Sequence, residues 1–170
     1  MKIFVTGSSG FIGFHLSKQL LEKGHSVCGF DSMNKYYDVN IKKARLKILK
    51  EYKKFSFTKN KLENKKILSD LILKFKPTVI IHLAAQAGVR YSIENPKAYL
   101  DSNITGTYNI IELAKKINIK HLLIASSSSV YGANKKLPFT EIDKTETQLS
   151  IYAATKKSTE RIAHSYANIW

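Results

Sequence analysis

The sequence predicts an α/β fold, a doubly wound parallel sheet with strand order 3-2-1-4-5. Three observations carry this: five short runs rich in Ile, Val, Leu and Phe, segments of helical period between them, and a glycine triplet joining the first run to the first helix. Strands separated by helices pair in parallel, because each crossover returns the chain to the same end of the sheet.

The first strand is KIFV, residues 2 to 5. It leads through VTGSSGFIG into FIGFHLSKQLLEKG, where Ile12, Leu16, Leu20 and Leu21 predict the buried face and Gly24 predicts the C-cap. SVCGF (26 to 30) is the second strand, and a lysine-rich helical stretch, expected to be partly irregular, leads to FSF (55 to 57), the third. TVIIHL (78 to 83) and HLLIAS (121 to 126) are the fourth and fifth. AYLDSNITGTYNIIELAKKIN, from residue 98, predicts one long amphipathic helix, and IYAATKKSTERIAHSYANIW, from residue 151, another. No repeat, low-complexity segment or linker divides the chain, so residues 1–170 read as one domain. This topology normally sets a sixth strand beside the fifth, and none is predicted. The domain therefore reads as incomplete at its C-terminal end, with the fifth strand a bare edge that predicts poor solubility.

At 44% hydrophobic residues the chain can bury a substantial core. The most apolar stretch, LILKFKPTVIIHLAAQA, is interrupted by Lys74, Lys76, Pro77 and His82, so no membrane span is expected. MKIFVTG is too short an apolar start for a signal peptide, which predicts a cytoplasmic protein. A single cysteine, Cys28, excludes an internal disulfide and a zinc cluster, and the five histidines lack ligand spacing, so no metal is implied. The formal charge of +15 suits polyanionic partners, yet the lysines are scattered among Ile, Leu and Asn as on solvated helix faces. With no recognised nucleic-acid module, specific nucleic-acid binding is not expected.

The glycines of VTGSSGFIG stand at 7, 10 and 13, between a predicted strand and helix. In that setting Gly7 allows the tight turn, Gly10 lets backbone approach a pyrophosphate, and Gly13 lets helix and strand pack closely. Asp31, eighteen residues after Gly13 and just beyond the second strand, suits a carboxylate that accepts both adenosine ribose hydroxyls. Its charge opposes a 2′-phosphate and favours NAD over NADP, although Lys35 lies close by.

The fifth strand ends in ASSSSVYG, hydroxyls at the carboxyl edge where ligands bind in open α/β sheets. Ser127 precedes Tyr152 by 25 residues, and Lys156 follows one helical turn later on the same face. A serine near the fifth strand end, then Tyr-x-x-x-Lys, after a TGxxGxxG start, resembles the extended short-chain dehydrogenase/reductase family (NAD-dependent epimerases and dehydratases). DSMNKYYDVNIKKARL, HLAAQAGVRYSIENPKAYLDSNITGTYNIIELAKK and ASSSSVYG followed by SIYAATKK are most similar to UDP-glucuronate 4-epimerases.

By that resemblance Gly7, Gly10, Phe11, Ile12, Gly13, Asp31, Ser32 and Asn34 would bind the nucleotide half of NAD. Ala84, Ala85, Gln86, Asn103 and Ser126 would line the rest of the cofactor cleft. Arg90, Ser127 and Ser128 would face the UDP-sugar, and Ser127, Tyr152 and Lys156 would be catalytic. The implied reaction is C4 epimerisation of UDP-glucuronate through a 4-keto intermediate. Related dehydratases and decarboxylases typically carry acidic residues where Ser128 and Ser129 stand, which disfavours those outcomes; they and a non-catalytic NAD-binding fragment are the alternatives. Where the family has an aspartate for the adenine amine, this chain has Lys61. Members also continue for roughly as much chain again, through a substrate domain, so little turnover is expected from these 170 residues alone. A homodimer through helices near 98–117 and 152–168 is also implied.

Overall fold

The structure is a computed structural model describing residues 1–170. Its single sheet contains β1 (Lys2–Thr6), β2 (Ser26–Asp31), β3 (Phe55–Lys59), β4 (Val79–His82) and β5 (His121–Ile124). All pairs are parallel and the order is β3-β2-β1-β4-β5, as the sequence predicts. Side chains alternate along each strand, so β1 feeds two cores. Phe4 joins Cys28, Phe30 and Ile80 against α3 (Lys65–Phe75) and α6 (Gly106–Lys116), while Ile3 and Val5 join Val27 against α1 (Phe11–Glu22) and α2 (Val39–Lys50). Burying one such side chain stabilises the fold by about 1.5–3 kcal/mol.

Several elements differ from expectation. The buried face of α1 is Gly13, Phe14, Ser17 and Leu21, whereas Ile12 is 66% exposed. Two small residues let the helix approach the sheet closely, which rotates its inward face away from the purely apolar stripe. Gly24 does end the helix, at φ +81 with the His25 N–H donating to Leu20 O at 3.1 Å. The lysine-rich stretch before β3 forms the regular helix α2, Asp31 is the last residue of β2 rather than lying beyond it, and β5 stops at Ile124. Ala125 and Ser126 thus lie past the strand.

After β4 the chain forms two short helices, α4 (Tyr91–Glu94) and α5 (Pro96–Tyr99). The helix expected from residue 98 is not uniform: Leu100–Thr105 is a π-helical turn, continuous with α5 and α6. Such wide turns recur at functional sites, and this one carries Asn103 inward, 1% exposed. A short 3-10 turn (Ser128–Tyr131) follows β5, and α7 (Ile151–Ile169) packs on α6, where the Tyr166 hydroxyl donates to Glu112 at 2.7 Å. β5 pairs only with β4, leaving its outer edge open and Leu123 43% exposed. No helix is long and apolar enough to cross a membrane.

Candidate cofactor site and catalytic residues

β1 passes into α1 through a turn that only glycine fits at two points. Gly7 has φ +71, and a Cβ there would lie 2.9 Å from Ala84 N. A Cβ on Gly13 would lie 2.1 Å from Gly7 O, so α1 rests directly on the turn. Gly10 caps α1 without a side-chain bond, and no acidic residue occupies the first helical turn. The N–H groups of the first turn therefore have no side-chain cap at the positive end of the helix dipole, beside exposed Phe11 and Ile12. Ser8 Oγ and Ser9 Oγ are buried without a partner in the same turn. An anion approached by backbone alone fits this cradle, as a dinucleotide pyrophosphate would be.

Asp31, 6% exposed, sits beside the turn, where its carboxylate accepts from Ser9 N–H at 3.1 Å and Met33 N–H at 2.8 Å. Both carboxylate oxygens keep lone pairs for further donors such as ribose hydroxyls. Ser32 and Asn34 follow in the connecting loop, which is held from two sides. Buried Lys42 donates to Asn34 O at 3.2 Å and Asn34 Oδ1 at 3.0 Å, and Asn34 Nδ2 donates to Gln86 Oε1 at 3.3 Å. Across β3, Asn60 N–H donates to Asp31 O and Lys61 N–H to Asn60 Oδ1, at 3.1 and 2.8 Å, with the Lys61 side chain exposed.

Where the paired ends of β1 and β4 meet lies a polar lattice around His82. Thr6 Oγ1 accepts from Leu83 N–H and Ala84 N–H, both at 3.1 Å, so its own proton goes to His82 Nδ1 at 2.7 Å. Burial, with the nearby Lys156 charge adding to it, pushes His82 down to about 3, so the ring is neutral. Its proton then resides on Nε2 and is donated to Thr107 Oγ1 at 3.0 Å. Asn103 holds the next loop: its Oδ1 accepts from Gln86 N–H at 2.7 Å, and its Nδ2 donates to Gln86 O at 3.1 Å and Thr155 Oγ1 at 3.0 Å. Thr155 in turn donates to Tyr152 O at 2.8 Å. The Asn103 side chain thereby joins the loop that carries Ala84, Ala85 and Gln86 to α7.

Tyr152 and Lys156 lie one turn apart on α7. Lys156 is 6% exposed and donates to Ala125 O at 2.6 Å, tying α7 to the exit of β5. Burial pulls its ammonium below the usual lysine range, opposed by Glu160. Tyr152 is half-buried, its ring edge-on to Tyr99 at 6.1 Å between centroids. Ser127 Oγ accepts from Ser129 N–H at 3.2 Å as the cap of the 3-10 turn, which leaves the Ser127 hydroxyl proton to donate elsewhere. Ser128 is exposed beside it. The Ser126 side chain turns instead to Glu160 and donates to its Oε1 at 2.5 Å. Arg90, just before α4, is exposed and its guanidinium makes no hydrogen bond or ion pair.

Residues that sequence reasoning passed over are the ones that hold the others: Thr6, Lys42, His82, Thr107, Thr155, and the tyrosines at 36, 91 and 99. Their partners lie far away in sequence. The YY pair of DSMNKYYDVN, aromatic in an otherwise polar loop, was the one signal that could have marked Tyr36.

The family whose description is GDP-mannose 4,6 dehydratase matches residues 4–169. A probable UDP-glucuronate 4-epimerase of Rhizobium meliloti is 52% identical over 170 residues, all of this chain and 50% of its own length. Protein CapI of Staphylococcus aureus is 53% identical over 170 residues, 51% of its length. The chain thus spans about half the length of the curated relatives it matches. The crystal structure of a UDP-glucuronic acid 4-epimerase from Bacillus cereus, in complex with UDP-glucuronic acid and NAD, superposes with a TM-score of 0.91 at 34% identity, covering 99% of this chain and 52% of that one. With the glycine turn, Asp31, Tyr152 and Lys156 gathered at one sheet edge, and with that match running almost end to end, the chain belongs to the GDP-mannose 4,6-dehydratase family of NAD-dependent epimerases and dehydratases.

Proposed function

We propose that residues 1–170 form the NAD-binding and catalytic half of a UDP-sugar 4-epimerase whose substrate is UDP-glucuronate and whose product is UDP-galacturonate. The observation that carries this reading is the meeting of the anion cradle at α1, the buried Asp31 carboxylate and the Tyr152–Lys156 face at one edge of the sheet. Gly7, Gly10, Phe11, Ile12 and Gly13 would hold the pyrophosphate through backbone N–H groups. Asp31 would accept the adenosine ribose hydroxyls, with Ser32 and Asn34 alongside, and would repel a 2′-phosphate. Ala84, Ala85, Gln86, Asn103 and Ser126 would border the nicotinamide half, the last two by positioning and backbone.

NAD, when bound, supplies a reversible hydride acceptor beside the sugar C4. Tyr152 would take the proton of the 4-hydroxyl, its phenolate stabilised by the Lys156 charge, while the Ser127 hydroxyl donates to the reacting oxygen. Tyr152 would return that proton after the 4-keto sugar has presented its other face, so no net oxidation results. A 4-keto uronate is a β-keto acid prone to lose CO2. The Ser128 hydroxyl would hold the carboxylate out of the geometry for that loss, with Arg90 facing the sugar. A cytoplasmic setting and a homodimer through residues 98–117 and 152–168 belong to the same proposal.

A chimera of this chain with the C-terminal half of the Rhizobium meliloti relative tests it. UDP-galacturonate formation, abolished by Tyr152→Phe, is expected, whereas the chain alone turns over little. An inactive chimera that binds NAD, beside an active relative, would sink the assignment.

A further inference from the structure

The loop after β2 does more than carry Asp31 and Asn34. It lies across the loop after β4, and a file of aromatic rings begins there: Tyr37 and Tyr36 at 4.7 Å between centroids, Tyr36 and Tyr91 at 5.0 Å, Tyr91 and Tyr99 at 6.3 Å, Tyr99 and Tyr152 at 6.1 Å. Four of these five rings touch no cofactor or substrate atom in the mechanism above. The file joins three segments distant in sequence and ends on the proposed general base.

The joints are specific. A Cβ on Gly88, which has φ +98, would lie 2.0 Å from the Tyr36 hydroxyl oxygen and 3.6 Å from that of Tyr99, so both phenols converge on a point only glycine leaves open. Tyr99 is fully buried and its hydroxyl is shared between Ala87 O at 2.7 Å and Gly88 O at 2.5 Å. Burial, then the neighbouring Tyr36 phenol, pushes Tyr99 up to about 12, and Tyr152 contributes in the same direction. Tyr37 is likewise raised by burial, then by Tyr36 and Tyr152. At the other end, Lys42 and Gln86 clamp Asn34, two residues before Tyr36.

We propose that Tyr36 and Tyr99 are positioning residues for Tyr152, seating its ring through this file so that the adenosine-side loop and the general base are set together. The last pair, Tyr99 with Tyr152, meets edge-on at 72° between ring planes, a geometry that favours one seat for a half-buried ring. Packed chains of this kind carry coupling only where the loop at one end can shift, and a ligand on Asp31 and Asn34 would press on that loop. This inference rests on the proposed cofactor site, and its test separates the two.

ADP is the probe, because it reaches the adenosine and phosphate positions but lacks the nicotinamide end that would touch Tyr152 directly. The chain is labelled at tyrosine Cζ, the Tyr152 resonance is assigned with Tyr152→Phe, and ADP is titrated by NMR and calorimetry. ADP is expected to move the Tyr152 resonance in the wild type. Tyr36→Ala, a change at an exposed loop position, is expected to lose that response at saturating ADP, and Tyr36→Phe to retain it. In Tyr99→Phe, with the ring kept and the carbonyl tie gone, the Tyr152 resonance is displaced before any ADP is added. A wild-type response that persists in full in Tyr36→Ala, or the absence of any response when ADP is bound, overturns the proposal. No ADP binding to the wild type overturns the cofactor site itself, and this inference with it.

Discussion

Gly13→Ala is the sharpest perturbation of the proposed phosphate cradle. The new methyl would lie 2.1 Å from Gly7 O, 2.8 Å from Gly7 C and 2.9 Å from Ser8 Cα. All three are backbone atoms, so no side chain can swing aside, and ordinary contact requires α1 and the turn to part by roughly 1 Å. Overpacking of this kind costs about 1–3 kcal/mol. For a domain of this size each kcal/mol lowers Tm by roughly 2–4 °C, so a fall of about 2–12 °C is expected. The same displacement draws the α1 N–H groups away from the phosphates. Losing one charge-assisted hydrogen bond, about 1.5–3 kcal/mol, weakens NAD binding roughly 10- to 100-fold. Differential scanning fluorimetry reads the first effect and titration calorimetry the second. Gly24→Ala is the control: at φ +81 with nothing within 4 Å of its Cβ, it costs about 1 kcal/mol of backbone strain and leaves NAD affinity unchanged. A Gly13→Ala chain that loses the expected stability yet binds NAD like the wild type would refute the cradle.

Neutral, buried His82 makes the fold acid-sensitive. Its folded pKa of about 3 lies below the unfolded value of 6.5, so the unfolded chain binds the extra proton and stability falls as pH drops from 6.5 towards 3. The full loss approaches about 5 kcal/mol, measurable by urea unfolding across that range; a flat profile would contradict a buried, neutral His82. Asn103→Ala leaves Gln86 N–H and C=O without their partner, a cost of about 2–5 kcal/mol from two buried groups, seen as a Tm drop larger than that of Gly24→Ala. The open edge of β5 predicts concentration-dependent association, detected by light scattering. Leu123→Lys, a charge on that edge, should suppress it at unchanged Tm.

Local rules reached much of the architecture. Crossover helices between short apolar runs dictate a parallel sheet, and the strand order follows because β1 and its glycine turn occupy the centre of this topology. That Asp31 lies beside the glycine turn was legible from its spacing to Gly13, and that Tyr152 and Lys156 share one face of α7 from helical period. Features set by distant contacts were not. The buried face of α1 is fixed by Gly13 against the turn, with Ser17 buried one turn on, whereas an apolar count assigns that face to Ile12. The π-helical turn exists where Asn103 meets Gln86 and Thr155, partners 17 and 52 residues away. Ser126 was assigned to the cleft by resemblance, yet past β5 its side chain turns to Glu160, 34 residues away. Nothing local marks Tyr99 as the ring against Tyr152, since helix period alone would class it as ordinary core.

The central claim is that this chain holds NAD on the α1 cradle with Asp31 reading the ribose. Titration calorimetry of the 170-residue chain with NAD, and with NADP in parallel, tests it most directly. The account predicts one saturable site for NAD, competed by ADP, weaker binding of NADP, and loss of that preference in Asp31→Asn. No saturable binding of NAD, or NADP bound as tightly as NAD by the wild type, would contradict it.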